Sequence, residues 1–169
     1  MQPKTSEQRM VWLGMGLAAG LCLAYFWPHE LAQAVATDRA DRFAICTVDV
    51  GTGNPDAVFV LDFLTGRLLG AMLSQQTGLF TNFWSRNIAS DFQIQGESAS
   101  KAKYVIIPGN AGLNSFSGAT TATGVVYIGE LTSGKIVAYR FPFKISKQVL
   151  PVHEILPIAF FPFREETRD

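Results

Sequence analysis

The sequence predicts an all-β domain, a duplicated antiparallel meander that follows one amino-terminal transmembrane helix. Three observations predict it. Ala57 to Leu73 reads as two strands joined by a tight Thr-Gly turn, and Val125 to Tyr139 repeats it register for register if Ser133 is a one-residue insertion. After residue 42, short β-rich runs alternate with clusters of turn-forming residues, and no segment of useful length has helical period. Before it, Met10 to Trp27 carries no charged side chain.

The chain has 169 residues, enough for one domain with a real core. Its 14 Lys and Arg balance 14 Asp and Glu, and no basic cluster is denser than the pairs Lys101/Lys103 and Lys144/Lys147. A nucleic-acid groove needs a concentrated basic face, so nucleic acid is excluded as a partner class. The two cysteines, Cys22 and Cys46, belong to different regions and are read as packing residues. No zinc-type Cys/His spacing exists, and the histidines are His29 and His153.

Residues 1–9 are read as a cytoplasmic amino terminus and 10–27 as a transmembrane helix. A helix over the charge-free run would extend roughly 27 Å, near the hydrocarbon thickness of a bilayer. Trp12, Tyr25, Phe26 and Trp27 lie near its ends, at the level amphipathic rings prefer. Lys4 and Arg9 precede the run, whereas Arg39 and Arg42 follow at a distance, which places the amino terminus on the cytoplasmic side of the membrane and the rest of the chain on the extracytoplasmic side. A cleaved signal peptide competes, since Ala32-Gln-Ala34 and Ala34-Val-Ala36 have small-x-small form, but they lie well beyond the apolar run. Gly16 and Gly20 form a G-x-x-x-G pair, a pattern that lets two helices approach closely in lipid.

Residues 28–42 are read as a stalk. The duplicated domain is expected over 43–144, with repeats at about 43–74 and 102–141. Phe43 to Val50 is the first strand, Gly51-Thr-Gly-Asn-Pro-Asp56 a turn, then come the hairpin and a further strand from Leu79 to Ile88. Tyr104 to Ile107 opens the second copy, and an irregular stretch from Gly109 to Gly124 precedes its hairpin. Ala57 to Leu61, Tyr104 to Ile107 and Val125 to Ile128 are nearly continuously apolar, which predicts strands covered on both faces. Two meanders packed together cover one face of each, so the remaining faces require the tail, another subunit or closure into a barrel.

Val58-Phe-Val-Leu-Asp-Phe-Leu-Thr-Gly-Arg-Leu-Leu resembles the repeat of quinoprotein-type β-propellers, where a strand ending near an Asp turns through Thr-Gly into the next. The Trp that closes that repeat is missing, with Gly70 and Tyr139 near its place, and two copies are fewer than a single-chain propeller needs. The anchor together with L-D-F-L-T-G and E-L-T-S-G-K resembles small uncharacterised bacterial single-pass membrane-anchored proteins, a likeness that implies no activity. Closure is left as propeller-blade-like, barrel or sandwich.

The tail, residues 145–169, is an extended arm, because Pro151, Pro157 and Pro162 forbid a helix and restrict any strand to a sheet edge. Phe141-Pro-Phe-Lys144 and Phe161-Pro-Phe-Arg164 echo each other. Phe141, Phe143, Ile155, Phe160, Phe161 and Phe163 are the expected partner contacts. No catalytic, cofactor or metal residue is assigned. Gly51 to Asp56 lacks the third glycine and following helix of a dinucleotide fingerprint, and with Asp49 it lacks EF-hand spacing. No G-x-S-x-G elbow accompanies His153. Asp62 and Glu130 precede the turns, where carboxylates accept backbone N–H bonds.

The expected function is a membrane-anchored, non-enzymatic structural or interaction protein, with the lipid bilayer and other protein subunits as partners and no cofactor. The alternative is a ligand- or glycan-binding module using the loop 109–124 and the aromatics Phe80, Phe83, Trp84 and Phe92.

Overall fold

The computed structural model describes residues 5–26, 37–39, 41–94, 102–113 and 120–164. The chain divides into two compact units, Met1–Ala34 and Val35–Asp169. The first contains one helix, α1 (Thr5–Phe26). Trp12, Leu13, Leu17 and Leu21 are all exposed on it, and nothing lies within 4 Å of where a Cβ would stand at Gly16 or Gly20. Among the described residues no helix is long and apolar enough to cross a membrane. The transmembrane helix expected over 10–27 is therefore unsupported. Residues 27–36, most of the expected stalk, lie outside the described residues.

The second unit is all-β, in two sheets. Strands β1 (Thr37–Arg39), β2 (Phe43–Val48), β3 (Ala57–Asp62), β4 (Arg67–Leu73) and β5 (Phe80–Asn87) follow one another in the first sheet. The second takes β6 (Tyr104–Asn110), β7 (Gly124–Glu130) and β8 (Lys135–Arg140). The tail then contributes a strand to each. β9 (Val152–Glu154) pairs parallel with β5 at the edge of the first sheet, and β10 (Leu156–Pro162) pairs antiparallel with β8 at the edge of the second. Proline lacks the N–H a central strand needs, and Pro157 and Pro162 accordingly sit in an edge strand.

The meanders β2–β3–β4–β5 and β6–β7–β8–β10 share their backbone hydrogen bonds. Phe63 N–H donates to Arg42 O and Leu131 N–H to Lys103 O, both at 2.9 Å. Gly66 N–H reaches Asp62 O at 2.9 Å, Gly134 N–H reaches Glu130 O at 3.0 Å, and Ile88 and Phe163 donate to Gly66 O and Gly134 O, each at 2.8 Å. Asp62 pairs with Arg67 and Glu130 with Lys135 across turns of equal length. Ser133 is therefore not an insertion, and Asp62 and Glu130 are equivalent positions. Gly66 and Gly134 both take positive φ, 63° and 69°, which closes each turn at no Cβ cost.

Both sheets contribute to one core. β2 and β3 bury alternate residues, Ala44, Cys46 and Val48 on one and Ala57, Phe59 and Leu61 on the other. From the second sheet come Tyr104, Ile106, Val126, Ile128, Val137 and Tyr139. The sheets approach most closely where β2 lies against β6 and are farther apart at β4 and β5. Large rings fill the wider side: Trp84 stacks on Phe59 with centroids 5.7 Å apart, and Phe141 meets Phe59 at 4.8 Å and Trp84 at 5.0 Å. Each such side chain removed from water stabilises the fold by about 1.5–3 kcal/mol. The two-sided cover expected for the central strands is found at Val125 and Val126 of β7 and fails elsewhere. Val58, Val60, Val105 and Tyr127 are only half-buried and Ile107 is exposed, because no described segment lies over the outer faces there.

Candidate functional site

Three arrangements stand out, and the first two are structural. Arg86, on β5, is the hub of a polar network between the sheets and the tail. Its Nε and Nη2 donate to both Asp91 carboxylate oxygens at 2.7 and 2.6 Å, and its Nη1 donates to Glu154 Oε1 at 2.7 Å and Ile155 O at 3.0 Å. Tyr139 donates to Asp91 Oδ2 at 2.8 Å, and the guanidinium lies 5.9 Å from the Tyr139 ring centroid. The hydrogen bonds to Asp91 hold the guanidinium in its charged form, raising its pKa. Burial, then the Asp91 carboxylate, pushes the Tyr139 hydroxyl above its ordinary range. The guanidinium and the Tyr139 hydroxyl thus keep the protons they donate, and the bonds to Glu154 and Ile155 make the network a clamp on the tail.

The second joins loops. Asp49 accepts from Gly51 N–H at 2.9 Å, Thr123 Oγ1 at 3.0 Å and Asn110 Nδ2 at 3.3 Å, tying the β2–β3 loop to the β6–β7 hairpin. Gly124 N–H donates to Asp49 O at 2.9 Å, and a Cβ on Gly124 would collide with that oxygen. Asn54 Nδ2 donates within its own turn, to Gly51 O at 3.4 Å. Among the described residues no group of three or more His, Cys, Asp or Glu is placed to hold a metal. His153 is exposed on β9.

The third is a pair of open apolar faces. On the second sheet, Ile107, Tyr127, Ile136, Ala138, Phe160 and Phe161 line a groove of about 320 Å³. On the first sheet, Val58, Val60, Leu69, Ala71, Phe83 and Val152 line one of about 440 Å³. Ile107 is 57% exposed and Phe160 and Phe161 are each 61% exposed. These faces offer apolar contact and shape, and among the described residues Arg67 is the one charged side chain that lines either groove.

Of the expected partner contacts, Phe160, Phe161 and Phe163 are at the surface. Phe141 and Ile155 are not: both are fully buried, Phe141 among the rings of the core, so neither is free to meet a partner. Phe143 packs against the core, half-buried. The aromatic platform also divides, because Trp84 and Phe92 are core residues while Phe80 and Phe83 reach the surface. Trp84 is oriented by its Nε1–H bond to Pro142 O at 2.7 Å. In the loop 109–124, the first residues continue β6 to Asn110, and 114–119 lie outside the described residues.

Sequence reasoning missed the Arg86 network, whose members come from β5, the following turn, β8 and the tail; Glu154 is 68 residues from Arg86. The only local signal was Arg86 and Asp91 five residues apart. Glu130 was read as a turn carboxylate, and it accepts N–H bonds from Lys103 at 3.1 Å, Thr132 at 3.0 Å and Ser133. No protein-family model, no curated protein and no solved structure matches the chain.

Proposed function

We propose that the chain is a non-enzymatic interaction protein whose β unit docks onto other protein subunits, attached to a membrane through its amino-terminal helix with the β unit on the extracytoplasmic side. The observation that carries it is the pair of open apolar faces, one on each sheet. Exposed Ile107, Phe160 and Phe161 on one, with Leu69 on the other, form contiguous patches of the kind that mark interaction sites. The charge-free run from Met10 to Trp27 and the exposed apolar side chains of α1 support the attachment.

The test is purification of the full chain from its native membrane in mild detergent, followed by mass measurement. The expected result is a complex of fixed stoichiometry, which Phe161→Glu disrupts without changing the circular dichroism of the chain. A single unaccompanied chain for both proteins would overturn the proposal.

A further inference from the structure

Resting on that interaction reading, we infer that the partner is a second copy of this chain, and that copies stack head to tail, the open face of one β6–β7–β8–β10 meander against the open face of the next copy's β2–β3–β4–β5 meander. The shared turn hydrogen bonds and ladder registers align the two meanders residue by residue on the turn side of their bulges. With Asp62 equivalent to Glu130 and Arg42 to Lys103, Cys46 corresponds to Ile107, Phe59 to Tyr127 and Leu68 to Ile136. Cys46, Phe59 and Leu68 are buried in the core, whereas Ile107, Tyr127 and Ile136 line the open groove of the second sheet. The reverse holds for the other face. Val58, Val60 and Leu69 line the open groove of the first sheet, and their equivalents, Val126, Ile128 and Val137, are core residues.

The two meanders therefore pack front to back. The face the first sheet turns inward is the face the second sheet turns outward, because side chains alternate across a strand and the equivalent strands present opposite sets to the core. A front-to-back contact leaves one unused front and one unused back, and these have the same complementary relation as the pair already joined. Contacts of this kind are heterologous, and they close into a ring when the rotation between units allows it. The wedge between the sheets, narrow at β2 and β6 and filled by rings farther out, supplies such a rotation. Radial arrays of four-stranded sheets close with about four to eight blades, so roughly two to four copies complete a ring.

The strands of closest approach identify the contact. Within one chain β2 lies against β6, with Cys46 and Ile106 on their facing sides. By equivalence, Ile107 of one copy meets Ile45 of the next; they are 57% and 46% exposed.

The experiment introduces Ile45→Cys and Ile107→Cys, singly and together, into full-length protein that also carries Cys22→Ser, in detergent, with copper-phenanthroline as oxidant. Circular dichroism checks that the variants keep their strands, as exposed positions should. Each single variant is expected to stay uncrosslinked alone and to give disulfide-linked dimers when the two are mixed. The double variant is expected to give a ladder that stops at the ring size. Self-crosslinking of either single variant would show a like-to-like contact and overturn the inference. Absence of crosslinks in protein that purifies in fixed ratio with a different protein would overturn the inference and leave the interaction reading standing. Absence of crosslinks in protein whose native mass is that of one chain would overturn both. If either variant fails to fold, the native mass of the unmodified protein decides, since one copy per particle contradicts the ring.

Discussion

The two meanders follow one backbone path and use one turn chemistry, yet equivalent positions differ sharply in exposure. Phe59 is fully buried and its counterpart Tyr127 is half-buried; Cys46 is 1% exposed and its counterpart Ile107 is 57% exposed. Arg86, which clamps the tail on the inner side of the first sheet, has Phe161 on the outer side of the second as its equivalent. Repetition of the backbone thus does not repeat the burial. A residue's energetic weight follows which face its sheet turns to the core, and an apolar residue persists on the outer face as well.

The largest predicted effect contrasts two rings. Phe59→Ala removes a ring packed against both Trp84 and Phe141 and should cost about 3–5 kcal/mol in urea unfolding. Tyr127→Ala, at the equivalent open position, should cost about 1 kcal/mol or less at low protein concentration. Equal losses would contradict the opposite burial of the meanders.

Next in size is the clamp. Arg86→Met leaves Asp91 and Glu154 without their cation and should cost about 1–3 kcal/mol. Hydrogen exchange should quicken in β9 while β2 and β3 keep their protection. Phe161, at the equivalent position, is 61% exposed and carries no charge, so Phe161→Met should leave exchange throughout the chain unchanged.

A smaller effect separates the turn carboxylates. Burial pushes the Glu130 pKa up, but N–H bonds from Ser133, Thr132 and Lys103 outweigh it and hold the carboxyl below its ordinary 4.5. A group depressed in the folded state contributes stability that is fully present above its unfolded pKa and is lost as pH falls through its folded value. The loss therefore begins below about pH 4.5, and Glu130→Gln should flatten that part of the stability profile. The half-buried Asp62 is also lowered, chiefly by the Thr65 hydroxyl, and Asp62→Asn should flatten the profile less because water screens it more than Glu130.

Much of the sheet was legible in the chain, and the reasons are local. The Thr-Gly turn, positive-φ glycines and β-rich runs carry their own geometry, so both hairpins were read correctly as hairpins. The turn alignment was misread because Thr65 and Thr132 are not equivalent; Gly66 and Gly134 are, and hydrogen bonding alone shows it. The Phe-Pro-Phe echo also misled. Phe141 and Phe161 have the same local sequence, but Phe141 follows β8 into the core, whereas Phe161 lies in an edge strand. The outer faces were the least legible part of the site. Alternation reveals a wet face only when that face is polar, and Val58, Val60, Tyr127 and Ile136 are as apolar as their buried neighbours.

The most direct test of the central claim, that the two open faces complement each other between copies, is the native mass of the full chain released intact from mild detergent. A closed ring of about two to four chains is predicted, with no larger species. A particle containing one 18.5 kDa chain would contradict it.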